Sequence, residues 1–241
     1  MEFRLRMPIN AAIIILGFWS PWIEAWGIGR RISLIEWLAL ELSRSGTISF
    51  SVATTVLVIV AALFAVACAL FRVWGTAYLG PTTVNSVTMV AGNVMADGPY
   101  RYVRNPLYIG LWFMVAAMAF LMPVTGSLFA IVLITIVIVR LTLGEETFLK
   151  TELGESYAAY LHAVPRFVPR LRGAPAPTGA RPHWLRAALA ELTPIGIVVA
   201  IAMFSRNYDL ALAGRIILIA FGASLVARAF IPVVVKTEPA K

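Results

Sequence analysis

Long apolar runs recur along this chain and restrict it to a membrane-embedded fold. A bilayer core of about 30 Å needs roughly 20 apolar residues in a helix that rises 1.5 Å per residue. Five stretches fit that length well and a sixth is marginal. They are residues 8–23, 48–71, 106–122, 124–141 and 184–204, with 210–235 as the marginal one. Since 60% of the 241 residues are hydrophobic and 13% are charged, the sequence predicts an all-α polytopic transmembrane protein with five to six spans.

Three segments carry features that should shape these helices. We expect Pro194 to kink the fifth span. Arg215 and Arg228 lie within the sixth, where we expect them to snorkel to opposite interfaces. The acidic segment 33–42 is too short to span, so we interpret it as an interfacial helix. The first 19 residues are similar to a secretory signal, but the bulky residues that follow favour a retained first helix.

The distribution of basic residues predicts the orientation. They lie before the first span, between the second and third, and after the fourth, whereas the turn at Pro123 is uncharged. By the positive-inside rule, both termini and the two long polar segments face the cytoplasm. The loop with Arg30, Arg31 and Arg44 departs from this pattern. Orientation and anionic lipid headgroups account for the net charge of +8, so we expect no nucleic-acid partner.

Metal and disulfide chemistry are not expected. The one cysteine, Cys68, lies in the middle of a span, where it serves as a small core residue. His162 and His183 are too far apart in sequence to indicate a zinc site. The candidate chemistry is therefore confined to the two polar segments.

The first polar segment ends in GPYRYVRNPLYIG, residues 98–110. Pro99 and Pro106 restrict the backbone, and Pro106 suits the first turn of the third span. Asn105 is then a natural N-cap, whose side chain can accept hydrogen bonds from the free amides of that turn. Taken alone, this stretch indicates a capped helix beside basic headgroup anchors.

The second polar segment, residues 144–169, reads GEETFLKTELGESYAAYLHAVPRFVP. Its apolar residues recur at helical spacing and predict an amphipathic helix that lies under the membrane. Glu145 and Glu146 begin it. Adjacent carboxylates are costly to bury without partners, but they also suit the first turn of a helix.

Together, the two segments resemble the isoprenylcysteine carboxyl methyltransferase and phospholipid methyltransferase superfamily of integral membrane enzymes. The shared pattern is GPYRxVRxPxYxG, a helical hairpin, and then EExxLxxxxGxxYxxYxxxVPRFxP, and it covers roughly residues 71–169. The resemblance implies methyl transfer from S-adenosylmethionine to a lipid-borne nucleophile that arrives from the bilayer. The chain has no glycine-rich strand-to-helix turn, so a cytoplasmic cofactor site would be built from helices and loops and covered by the amphipathic helix.

The resemblance also implies an organisation and a set of site residues. N-terminal transmembrane helices (1–72) precede a methyltransferase core (73–172), and a linker and C-terminal hairpin (173–241) follow. Carboxylates can bind the ammonium and ribose hydroxyls of the cofactor, and an arginine can bind its carboxylate. The implied cofactor-binding residues are Tyr100, Arg104, Asn105, Tyr108, Glu145 and Glu146, and the catalytic candidates are Arg104 and Arg140. In the family an arginine near position 140 holds a substrate carboxylate; an interface anchor is an equal alternative for Arg140.

One departure from the family bears on the substrate. Many members carry His where this chain has Asn105, and asparagine cannot titrate near neutral pH. A carboxylate acceptor needs no general base, whereas an ammonium must first lose a proton. With Arg140, this favours carboxyl O-methylation of an isoprenylcysteine-type lipid over N-methylation of phosphatidylethanolamine-type headgroups. A membrane scaffold or a transporter would explain the helices but not the two linked motifs.

The C-terminal part leaves two expectations. We predict that residues 172–182 form a mobile cytoplasmic tether. Small residues in the last span form a packing face, either within the chain or between subunits, so the oligomeric state is open. These residues are Ala220, Gly222, Ser224 and Ala227.

Overall fold

A computed structural model describes residues 2–22, 32–84, 94, 96–170 and 172–230. Within these residues every named element is helical, and a single bridge pairs Ser33 with Pro123. The helices are α1 (Glu2–Trp19), α2 (Leu34–Arg44), α3 (Phe50–Leu79), α4 (Pro81–Val84), α5 (Pro106–Ala119), α6 (Val124–Ala163), α7 (Trp184–Ala190), α8 (Leu192–Asn207) and α9 (Leu210–Phe230), with a 3₁₀ turn at Gly98–Arg101. The all-α polytopic class is confirmed.

Fewer helices are long enough to span a membrane than the five to six that the sequence predicts. Helices α3, α6 and α9 are long and apolar enough to cross a bilayer, and α7 with α8 makes a fourth span if the bent pair is counted as one. Residues 5–19 of α1 and all of α5 are shorter apolar helices, which accounts for the difference from five to six. The end of the sixth predicted span and the loop with Arg30 and Arg31 lie outside the described residues.

Helix α3 runs through the centre of the bundle and packs against α2, α5, α7 and α8. Its approach to α5 depends on two glycines. A Cβ at Gly110 would lie 2.6 Å from Cγ of Arg72, and one at Gly75 would lie 2.8 Å from the side chain of Leu107. Any larger residue at either position would push α5 away, so these glycines set the distance between the two helices.

Helix α6 continues beyond its apolar part. Residues 124–141 are its membrane-spanning stretch, and the polar stretch from residue 144 extends the same helix to Ala163. Gly154 interrupts it with φ 57° and ψ −135°, a conformation that favours glycine. The predicted amphipathic helix therefore forms, but as two pieces, of which the second buries Tyr157 and Tyr160.

The predicted kink in the fifth span is present, at Glu191 rather than at Pro194. Helices α7 and α8 meet there at 64°. A proline ring clashes with the carbonyl four residues before it, here Ala190, and offers it no N–H. That carbonyl instead accepts hydrogen bonds from Ser224 Oγ at 2.8 Å and from Arg228 Nε at 2.9 Å. Arg228, which we expect to snorkel to an interface, lies in the last turn of α9 and bonds this carbonyl from there; the snorkelling itself stays a prediction.

A buried ion pair joins this break to α3. The Glu191 carboxylate is 1% exposed and accepts hydrogen bonds from Arg72 Nε at 2.6 Å and Nη2 at 2.9 Å, and from Thr76 Oγ1 at 2.8 Å. Charges withdrawn from water in this way are tolerated only when they are paired. Arg72 is one of the basic residues between the second and third predicted spans, and it also anchors α7 and α8 to the centre of the bundle.

Two of the four small residues of α9 pack within the chain. A Cβ at Gly196 of α8 would collide with Ala220, and Ser224 donates to the carbonyl of Ala190. Gly222 is exposed and a Cβ there would meet nothing within 4 Å. Ala220 and Ser224 therefore belong to the intramolecular α8–α9 contact.

We expect Glu191→Ala to destabilise the protein strongly, because it leaves the Arg72 guanidinium buried without its counter-charge. The free energy of unfolding should fall by about 3–5 kcal/mol. The measurement is denaturant or thermal unfolding of the detergent-purified protein. Glu41→Ala is the matched control, since Glu41 pairs with Arg44 on the surface, and it should cost less than about 1 kcal/mol. Equal effects of the two substitutions would contradict this role.

Candidate functional site

The first motif begins with a turn that only glycine allows. Gly98 has φ 54°, and a Cβ there would lie 2.4 Å from the ring of Tyr78 on α3. The turn that follows buries Tyr100, whose hydroxyl lies 3.5 Å from the carbonyl oxygen of Gly75. The backbone carbonyl of Tyr100 accepts a 2.7 Å hydrogen bond from the hydroxyl of Tyr160. The turn is thereby held between α3 and the second motif.

The two motifs run side by side. The backbone N–H of Arg104 donates to the carbonyl of Pro165 at 2.9 Å, and that of Arg170 donates to the carbonyl of Tyr102 at 2.9 Å. The guanidinium of Arg104 also donates to the carbonyl of Leu161 at 2.8 Å. Segments about 60 residues apart in sequence therefore form one unit at the face of the bundle where α3 ends and α5 begins, which we call the motif face.

Glu146 is the centre of this unit. Its side chain is 8% exposed and it accepts hydrogen bonds from Arg166, with Nε at 3.1 Å and Nη2 at 2.8 Å from Oε2. Arg104 Nε lies 3.2 Å from Oε1, and Asn105 Nδ2 donates to the same oxygen at 3.3 Å. Two guanidinium groups and an amide thus neutralise one buried carboxylate, as burial of a charge requires.

The prediction that the Asn105 side chain caps α5 was wrong. Asn105 occupies the N-cap position but makes no side-chain capping bond. Its amide nitrogen donates to Glu146 and, at 3.3 Å, to the carbonyl of Arg166. A carboxylate is a stronger hydrogen-bond partner than the free amides of a helix end, and Pro106 has already removed one of those amides.

Glu145 faces α1 instead. Its side chain is 26% exposed, and its Oε1 lies 3.7 Å from Arg6 Nη1. Arg6 also donates from Nη2 to the carbonyl of Val84 at 2.7 Å. Burial raises the pKa of Glu145, and the nearby Tyr108 hydroxyl and Arg6 only partly oppose it. Helix α1 thus contributes a cation to the site, although the sequence indicated Arg6 only as a topological marker.

The structure brings together most of the predicted site residues, but not Arg140. Arg104, Asn105, Glu145 and Glu146 meet at the motif face, with Tyr108 one turn along α5 and Tyr100 buried beside them. Arg140 is exposed, on a different side of α6 from the glutamates. At 100° per residue, the buried Ile138 and Leu141 mark the inward side of α6 and Arg140 falls outside it. The binding and catalytic roles of all these residues remain predictions.

The linker differs from the mobile tether that the sequence predicts. The Asp97 carboxylate accepts hydrogen bonds from the backbone N–H groups of residues 178–180, at 2.9 to 3.2 Å, and from the hydroxyl of Thr178. Arg101 Nε donates to the carbonyl of Pro175 at 2.8 Å. The linker is therefore fastened across the first motif.

Two cavities lie at opposite ends of the bundle. An open cleft of about 530 Å³ borders Arg104 at the motif face; its other walls come from residues 161–165 and 168–170. A cavity of about 610 Å³ lies where α3 begins, and its polar lining includes Ser33 and Glu36, which bond each other as a capping box. Only the cleft adjoins the ionised cluster. The described residues contain no cluster of His, Cys, Asp or Glu that could hold a metal ion.

Residues 48–156 match the family model of phospholipid methyltransferases. The match covers less than half of the 241 residues, and with the motifs and the helical fold it supports the membrane methyltransferase superfamily that the sequence resembles. The match starts just before α3 and ends before Tyr157, so Arg6 and Arg166 lie outside it.

One curated relative is the methanethiol S-methyltransferase of Crocosphaera subtropica. It is 39% identical over 70 residues, which are 29% of this chain and 27% of that relative. The match therefore spans about a quarter of the relative's length. No solved structure matches the chain.

We expect Glu146→Ala to destabilise the motif face, because Arg104 and Arg166 would then confront each other without a counter-charge. Since Arg166 is 40% exposed, the loss should be about 2–3 kcal/mol in the free energy of unfolding. Unfolding of the detergent-purified protein measures it. Glu152→Ala, at an exposed position of the same helix, is the control and should change little. A neutral Glu146→Ala would show that the cluster does not hold the two motifs together.

The Asp97 contact predicts a pH-dependent linker. Burial alone would raise the pKa of Asp97, but hydrogen bonds from Thr178, Ala180 and Gly179 outweigh it and lower the pKa below its usual 3.8. A depressed carboxyl pKa stabilises the folded state above the ordinary value, and this stabilisation is lost as the pH falls through the lowered pKa. The linker should therefore stay fastened from neutral pH down to about pH 4.

Limited trypsin digestion at neutral pH tests this contact. Asp97→Asn should increase cleavage after Arg172 severalfold, since Arg172 is exposed, precedes the fastened stretch and is followed by a glycine. Asp209→Asn is the matched control, because Asp209 accepts a hydrogen bond from the Leu212 amide on an exposed helix end. Equal digestion of both variants would mean that Asp97 does not restrain the linker.

Proposed function

We propose that this chain is an S-adenosylmethionine-dependent methyltransferase that methylates the headgroup amine of a phosphatidylethanolamine-type lipid. The observation that carries the proposal is the pair of adjacent glutamates at the motif face, one fully engaged and the other not. Glu146 is bound by Arg104, Asn105 and Arg166, whereas Glu145 is partly exposed beside Tyr108 and has one longer ion pair, with Arg6 at 3.7 Å. The family match supports methyl transfer as the reaction class.

The residues at the cleft fit the predicted cofactor. Arg104 Nε is buried and, although 3.2 Å from Glu146, is too poorly aligned to hydrogen-bond it or any other described residue. An unsatisfied guanidinium N–H beside an open cleft suits the carboxylate of an amino-acid moiety. When bound, S-adenosylmethionine would supply an electrophilic methyl group on a sulfonium. Arg104 would orient it, and Glu146 would keep Arg104 and Asn105 in place.

The position of Arg140 leads us to propose the amine acceptor ahead of the carboxylate acceptor, which is the reverse of the order that the sequence favours. The preference for a carboxylate acceptor depended on Arg140, which lies on the exposed side of α6. An amine acceptor needs a group that removes a proton, and Glu145 is a carboxylate whose pKa is raised by burial. The thiol acceptor in the relative's name would also lose a proton on methylation, which supports a proton acceptor at the site.

Carboxyl O-methylation of an isoprenylcysteine-type lipid is the second candidate. Arg6 and Arg104 both lie at the motif face, where either could neutralise a substrate carboxylate. For both candidates we propose that the acceptor arrives from the bilayer and that the site faces the cytoplasm, as the positive-inside rule predicts.

Calorimetry with S-adenosylhomocysteine on the detergent-purified protein tests the cofactor assignment. We expect wild-type binding, and a roughly tenfold or greater loss of affinity in Arg104→Lys, which keeps the charge but loses the planar fork. The unfolding midpoint of the variant shows whether it folds. Arg186→Lys, at an exposed position, is the control. Absence of any binding by the wild type would favour the scaffold alternative.

The two candidate acceptors give different products, an N-methyl amine and a methyl ester, which can be distinguished chemically. After incubation with methyl-labelled S-adenosylmethionine and phosphatidylethanolamine, we expect lipid label that survives mild alkali, because an N-methyl bond resists hydrolysis. A farnesylated cysteine analogue, run in parallel, should remain unlabelled. The opposite result would be label on the analogue that alkali releases as methanol and that Arg140→Ala abolishes. It would support carboxyl O-methylation instead of amine methylation.

A further inference from the structure

Three buried oxygen atoms near the motif face have no hydrogen-bond partner among the described residues. They are Asn10 Oδ1, the Tyr108 hydroxyl and Thr142 Oγ1. The three residues lie on three different helices, α1, α5 and α6, and Thr142 is fully buried. Buried polar atoms in native proteins are nearly always paired, and leaving one unpaired is unfavourable. Three on neighbouring helices point to a polar ligand.

Helices α1 and α6 pack side by side in opposite directions. At the motif face, Arg6 of α1 lies beside Glu145 of α6. At the other end of the bundle, Gly126 of α6 has no room for a Cβ because the backbone of Gly17 lies against it. Residues between these two contacts therefore face one another in matching order along the two helices.

This arrangement brings the orphan oxygens to one level. Asn10 follows Arg6 by four residues and Thr142 precedes Glu145 by three, so each lies one turn deeper than the ion pair on the same helix face. The Tyr108 hydroxyl approaches Glu145 and Arg6 from α5. We infer from this register that the three oxygens lie close together, about one helical turn from Glu145.

We propose that Asn10, Tyr108, Thr142 and Glu145 form a subsite that binds the primary ammonium group of the lipid acceptor. An ammonium has three N–H donors and no acceptor, so it requires several oxygen atoms around it. The subsite supplies three uncharged oxygens and one carboxylate. The subsite rests on the proposed function and assigns α1 a part in it.

S-adenosylmethionine also carries a primary ammonium, so the lipid assignment needs its own argument. Asn10 lies on α1, outside the matched segment 48–156. The subsite is one turn farther along the apolar parts of α1 and α6 than the ion pair, whereas the cleft beside Arg104 is open. A group that enters from the bilayer reaches this level more directly than a water-soluble cofactor does.

Binding of short-chain lipids to the detergent-purified full chain tests the subsite. The probe is dihexanoyl phosphatidylethanolamine, and the comparison is dihexanoyl phosphatidylcholine, whose nitrogen has no N–H. We expect the wild type to bind the ethanolamine lipid more tightly. Thr142→Val and Asn10→Leu should each weaken that binding about tenfold, with the affinity for S-adenosylhomocysteine unchanged. Thr147→Val is the control, since its exposed hydroxyl bonds the Leu143 carbonyl of its own helix.

Folding does not obscure the result, because removing an orphaned buried oxygen should leave stability equal or raise it. Unchanged ethanolamine-lipid binding in both variants would overturn the subsite. If the variants weaken S-adenosylhomocysteine binding and leave lipid binding unchanged, the subsite binds the ammonium group of the cofactor, and the lipid assignment is overturned. If the wild type binds no S-adenosylhomocysteine, the proposed function fails; an ethanolamine preference that Thr142→Val removes would still support the subsite.

Discussion

The burial of Glu146 is the constraint on which the motif face depends. A carboxylate that is 8% exposed at the end of a membrane helix must be neutralised. Arg104, Asn105 and Arg166 do so, and they come from the two motifs on either side of the helical hairpin. The Glu146 carboxylate therefore holds together the first motif, at Arg104 and Asn105, and the second motif, at Arg166. Glu145, next to it, is partly exposed and pairs with Arg6 of α1.

The same rule operates in the interior of the bundle. The Glu191 carboxylate pairs with Arg72, and the Ala190 carbonyl that Pro194 leaves without a donor is satisfied from α9. Both of these contacts therefore join elements distant in sequence. Close helix contacts at glycines such as Gly110 make these pairings possible. The C-terminal helices are fastened to α3 by specific polar contacts, not by apolar packing alone.

The site extends beyond the segment that the family shares. Residues 48–156 contain the first motif, the hairpin of α5 and α6, and both glutamates. Arg6 and Asn10 come from α1, and Arg166 from the segment after the match. The shared segment thus carries the groups that we assign to the cofactor, whereas α1 borders the space that we assign to the acceptor. A division of this kind would let relatives with the same core act on different nucleophiles.

The sequence by itself determined the all-α membrane class, the superfamily and most members of the cluster, because apolar run length and linked motif spacing are local properties of the chain. It did not reveal that Arg72 pairs with Glu191 and Arg228 bonds the Ala190 carbonyl, that Asn105 bonds Glu146 instead of capping α5, or that Arg140 lies apart from the glutamates. Those outcomes depend on which partner each polar group meets across the bundle. Only the tertiary structure decides them, because a buried charge or carbonyl takes the strongest partner within reach, and that partner is usually distant in sequence.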